Sequence, residues 1–121
     1  MDELKAQQVE ALEVVSEYIE KLLPNMDILV NELKGNQQED TDSFLNYVMN
    51  GFNWVIEVFN GTRDLINADQ VRIDKDEVNE KIIELSKAFK EKDNKKAAEL
   101  IETAVIPFLN TFLEVSKELT K

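Results

Sequence analysis

The chain has 121 residues and a formal net charge of −11, from 25 acidic and 14 basic residues, with no histidine and no cysteine. That length suits a single domain spanning residues 1–121, and the acid surplus repels nucleic-acid phosphates and anionic lipid surfaces, so neither is expected as a partner. Without Cys or His there are no disulfide staples, zinc–thiolate sites or cysteine nucleophiles, and the commonest general base and transition-metal ligand is missing.

The opening MDELKAQQVE is acidic and polar, which predicts a cytoplasmic protein without a signal peptide. From about Asp2 to Leu23 the spacing is helical. Leu4, Ala11, Leu12, Val15, Tyr18, Ile19, Leu22 and Leu23 share one side, with Val14 on its flank, and Glu3, Glu10, Glu13, Glu17 and Glu20 take the other. Pro24 is expected to end or kink this helix, because the residue before a proline resists α geometry. A separate short helix, about 25–34, follows with Met26, Leu29, Val30 and Leu33 as its apolar edge, and Gly35-Asn36 stops it.

The second long helix starts at Asp40 or Thr41. Between Phe44 and Thr62 it carries one charge, Glu57, in a chain that is 32% charged. Its apolar residues fill an arc of roughly 220° at about 100° per residue, twice what a helix lying on a core from one side needs. That surplus makes it the expected central helix of the fold. It either continues past Gly61 to about Asn67 or breaks at Asn60-Gly61, with Thr62 capping a further turn.

Asp74, with Glu77 three residues on, opens a third helix reaching about Lys92. Its apolar set, Val78, Ile82, Leu85 and Phe89, is narrow and marks a peripheral position. Asp93 or Asn94 caps a fourth, running to about Leu119, with a kink expected at Pro107, whose ring clashes with the Thr103 carbonyl. The predicted fold is all-α: an up-down-up-down four-helix bundle with one additional short helix, about 25–34, after the first.

No constellation for chemistry emerges. Glu10, Glu13, Glu17 and Glu20 oppose the apolar face of their helix, and a carboxylate-bridged dimetal bundle would aim its acids inward and pair them with Glu-x-x-His motifs. The acidic stretch from Asp69 to Glu80 lacks the ligand and glycine positions of a calcium loop. The glycines are isolated, so no phosphate cradle exists. No catalytic, metal or cofactor residues are therefore assigned, and an enzyme is not expected.

Two lines on the second helix stand out. Phe44, Tyr47, Gly51, Trp54 and Val58 recur at 3-4-3-4 spacing, with a glycine that costs about 1 kcal/mol in a helix interior. They either pack under residues 25–34 and the first helix, or form a groove for a partner's amphipathic helix, anchored by aromatic rings. Asn46, Asn50, Asn53 and Asn60 form a charge-free polar edge, either simply solvated or a contact surface without charges to desolvate. Phe44, Tyr47, Gly51, Trp54, Val58, Asn46, Asn50 and Asn53 make up the candidate partner surface.

The segment KDNKKAAELIETAVIPFL (92–109) resembles one near the C-terminus of some small, acidic, all-helical bacterial proteins, where D-x-x-x-x-A-x-L-[IL]-E leads to an apolar-Pro-apolar helix. Asp93, Ala98, Leu100, Ile101, Glu102 and Pro107 carry the likeness. It implies a bacterial, helical, cytoplasmic protein and no particular activity. The expected function is a non-enzymatic protein–protein interaction module, an adaptor or export-chaperone-like accessory. The alternatives are a structural homodimer, the partner being the chain itself, and a small-molecule-binding helical bundle with an internal cavity reached by Asn and Tyr side chains.

Overall fold

The computed structural model describes residues 3–68 and 70–120. It is helical, with α1 over Glu3–Leu33, α2 over Thr41–Ile66, α3 over Lys75–Lys90 and α4 over Asn94–Leu100. A π-helical turn, Ile101–Val105, joins α4 to α5, Ile106–Leu119. No strand occurs among the described residues. The expected all-α bundle is observed. Asp2, the predicted start of the first helix, and Asp69, in the connector before α3, lie outside the described residues.

The separate helix over 25–34 does not form. Pro24 sits exposed inside one continuous 31-residue helix. Leu12, Val15, Ile19 and Leu22 before it and Met26, Leu29, Val30 and Leu33 after it are all buried in one core. That shared face exists only if the helix keeps its register through the proline. Helix α2 likewise runs unbroken through Asn60-Gly61, and Thr62, buried, donates its hydroxyl to the Val58 carbonyl at 2.8 Å.

The expected caps form at α3 and α4, whereas Asp40, at the start of α2, makes no side-chain cap hydrogen bond. Asp74 accepts hydrogen bonds from the Asp76 and Glu77 amides at the start of α3, and Asp93 accepts one from Lys96 at the start of α4. Gly35, at φ 141°, closes α1. Helix α3 ends in a left-handed cap on Lys92, at φ 56°, whose amide bonds Phe89 while that of Asp93 reaches back to Ala88. Pro107 does not break the last helix. The chain widens into the π turn just ahead of it, and the Ile106 amide donates to Ile101, five residues back.

Helix α1 holds the middle of the bundle, a position the sequence assigned to the second helix. It packs on α2 along one side and on α4, the π turn and α5 along another. Both neighbours run antiparallel to it. The Gln8 amide donates to the Gly61 carbonyl at one end of the α1/α2 pair, and Thr41 donates to Glu32 at the other, at 3.0 and 2.7 Å. Ion pairs Lys34–Glu102 and Lys117–Glu20 set α5 against α1 in the same way. Helices α2 and α5 meet through phenylalanines. Phe59 stacks edge-on against Phe108 and Phe112 at 5.5 and 5.6 Å. Helix α3 leans chiefly on α4 and the π turn, peripheral as its narrow apolar edge implied.

Candidate functional site

The aromatic line of α2 lies along the outer seam of the α1/α2 hairpin. Phe44, Tyr47, Gly51, Trp54 and Val58 fall within about 80° of that helix. Phe44 and Val58 are half-buried against the core, whereas Tyr47 is 65% exposed and Trp54 37% exposed. Asn46, Asn50 and Asn53 continue around the helix away from the core, all exposed, as is Asn60.

Gly51 has a specific neighbour. A Cβ built on it would come within 1.8 Å of the Tyr18 hydroxyl oxygen and 2.9 Å of the ring carbon bearing it. The close approach is thus made by a side chain of α1 and not by a second helix backbone. The Tyr18 ring meets Trp54 edge-to-face at 5.3 Å and 86°. Burial pushes the Tyr18 phenol above its ordinary range, and the nearby Tyr47 adds to the shift.

Tyr18 belongs to a stripe that the sequence reading divided between core and flank. Leu4, Ala11, Val14, Tyr18 and Ile28 lie within an arc of about 120° on α1, facing the line on α2. Among the described residues, five of the seven exposed large apolar side chains belong to this seam: Leu4, Val14, Ile28, Tyr47 and Trp54. Leu4, expected on the buried side, is among them. Ile28 joins the stripe only because α1 continues past Pro24, so no separate reading of residues 25–34 could place it there.

Charge is unevenly distributed too. Residues 1–66 hold 13 acidic and 4 basic residues, and residues 67–121 hold 12 and 10, so the first half carries −9 of the −11. On the helical projection the acids border the seam. Glu3, Glu10 and Glu17 lie within about 20° of Ile28 at the outer edge of the α1 stripe, and Glu57 and Asp64 lie about 60–80° outward of Trp54 on α2, while Asp42 falls on the opposite side of that helix. Lys21 is the single basic residue in those two bands among the described residues.

Away from the seam, a concavity of about 460 Å³ opens between α3 and the π turn with the start of α5. Phe52, Ile73, Val78, Ile82 and Phe108 floor it, and Glu77 and Glu80 stand at its margin. No Asn or Tyr lines this groove, so it differs from the internal, amide-lined cavity that a small-molecule-binding bundle was expected to contain. Among the described residues no three acidic side chains gather closely enough to hold a metal ion, and no helix is long and apolar enough to cross a membrane.

A family model described as a domain of unknown function, DUF8042, matches residues 10–115, from the first third of α1 to the last turns of α5. None of the curated proteins and none of the solved structures matches the chain.

Proposed function

This chain belongs to the DUF8042 family, and we propose that it is a non-enzymatic protein–protein interaction module whose contact face is the outer seam of the α1/α2 hairpin. The carrying observation is the collection of Leu4, Val14, Ile28, Tyr47 and Trp54 on one seam when the rest of the exposed surface is largely polar. Exposed apolar groups scattered singly need no explanation, but grouped on one face with polar margins they mark contact surfaces. Tyr and Trp are the residue types that anchor such contacts. The amide edge of Asn46, Asn50 and Asn53 supports the same reading, since neutral side chains are cheaper to desolvate than charges. An adaptor or export-chaperone-like accessory role in a bacterial cytoplasm fits this face and the resemblance around residues 92–109.

A photo-crosslinking residue placed at position 47, with one at position 83 on the far side as control, tests the reading in cells. Position 47 is expected to trap a discrete second protein that position 83 does not. A product at twice the 14.0 kDa chain mass would replace the adaptor with a homodimer. Equal, diffuse labelling from both positions would remove the contact face altogether.

A further inference from the structure

We infer that the occupant of this seam is a cationic amphipathic helix of another chain. The inference rests on the seam being a contact face, and it follows from the seam's shape and charge. Two antiparallel helices, held at their ends by Gln8–Gly61 and Glu32–Thr41, leave a shallow furrow between them into which a third helix packs with its i, i+3, i+4 and i+7 side chains. The stretch from Phe44 to Val58 is about 21 Å long at 1.5 Å per residue, room for roughly four turns of a partner helix. Tyr47 and Trp54, half-open above Gly51, offer aromatic surface near the middle of that length.

Charge decides between occupants. Glu3, Glu10 and Glu17, with Lys21 among them, edge the seam on α1 and Glu57 and Asp64 edge it on α2, in a half-chain of net −9. A second copy would bring an identical acidic edge against this one, so a homodimer through this face sets five carboxylates and one ammonium group, net −4, against the same set. A helix with an apolar stripe and flanking Lys or Arg meets the floor with its stripe and both borders with opposite charge. Such borders act mainly on encounter rate and selectivity, which makes the association salt-dependent.

The test uses two synthetic peptides of about 18 residues, long enough to span the furrow, that share one leucine stripe and lack tryptophan. One carries lysine and the other glutamate on its polar face. Trp54 is the chain's single tryptophan, so its emission reports occupancy of the seam without a label. The lysine peptide is expected to shift that emission and bind at least about tenfold more tightly than the glutamate peptide, weakening several-fold from about 0.05 to 0.3 M salt.

Tyr47→Glu should weaken the lysine peptide by about tenfold despite adding an attractive charge, because it removes an anchor. Ile83→Glu, the same change of charge on α3, should leave binding within about twofold. Asn50→Arg, at an exposed position, gives a second weakening variant if Tyr47→Glu fails to fold. Equal binding of the two peptides, or binding indifferent to both seam variants, overturns the inference. If crosslinks from position 47 persist while the lysine peptide does not bind, the partner class is wrong and the contact face stands. Loss of both removes both.

Discussion

Tyr18 and Gly51 compete for the same space, and the competition gives the glycine a reason to be there. Alanine is better than glycine in a helix interior by about 1 kcal/mol, so on propensity alone Gly51→Ala should stabilise α2. The added methyl, however, would sit 1.8 Å from the Tyr18 oxygen. Moving that oxygen means swinging the ring off Trp54, where the edge-to-face contact contributes about 0.5–1.5 kcal/mol beyond burial. Displacement of a part-buried ring adds to the loss. Gly51→Ala is therefore expected to destabilise the native chain by about 1 kcal/mol, and to stabilise a Tyr18→Ala background by a similar amount as propensity takes over. Denaturant melts of the four-member cycle check this. An effect of the same sign in both backgrounds would mean that Tyr18 is not what the glycine accommodates. The sequence marks Gly51 as costly in a helix interior, but its spacing does not point to Tyr18, which shares the apolar side of its own helix.

At the scale of elements, what was legible was whatever a short-range rule decides alone. Asp74 and Asp93 as caps and Gly35 as a stop each follow from a few adjacent residues. The left-handed residue that ends α3 was not legible, because it is Lys92 and not glycine. Pro24 departs from the expected break for a different reason, that a local rule meets a larger distant term. A proline in a helix interior costs about 3 kcal/mol. Met26, Leu29, Val30 and Leu33 beyond it are each worth about 1.5–3 kcal/mol when fully buried, and they stay buried only if α1 remains in register. Burial wins, and the proline is carried as a defect on the exposed side. Pro24→Ala should then stabilise the protein by about 2 kcal/mol, the helical gain less the freedom returned to the unfolded chain. Pro107→Ala should change stability by less than about 1 kcal/mol. The π turn already accommodates that ring, and buried Leu100, Ile101, Leu109 and Phe112 on either side hold the widened register in place. Paired thermal melts separate the two. A larger gain at position 107 than at 24 would mean that the π turn is strained rather than accommodating.

For the whole molecule, the wide apolar arc of the second helix suggested the centre of the fold, yet α1 occupies that place. The arc is wide because α2 uses it twice, once toward the core and once toward the outer seam. A helical projection shows how much of a helix is apolar. It does not show which part is covered, since that depends on neighbours far away in the chain. The same geometry concentrates charge, because the two seam helices carry −7 of the −11 along two adjacent rods, −5 on α1 and −2 on α2. Their carboxylates repel one another in the folded state, and residues 67–121, nearly balanced at −2, do little to offset this. Screening should relieve the repulsion. The Debye length falls from about 30 Å at 0.01 M salt to about 3 Å at 1 M, so the melting temperature should rise by several degrees over that range, equivalent to about 1 kcal/mol for a domain of this size. Neutralising the border with Glu10→Gln, Glu17→Gln and Glu57→Gln should reproduce much of that gain at low salt and flatten the salt dependence. The same three changes of charge at Glu80, Glu99 and Glu114, in the balanced half, should do neither. Melts of the two triple variants across a sodium chloride series decide the point. If both flatten the curve alike, the instability belongs to total charge, and the acidic border loses its standing as a local feature of the seam.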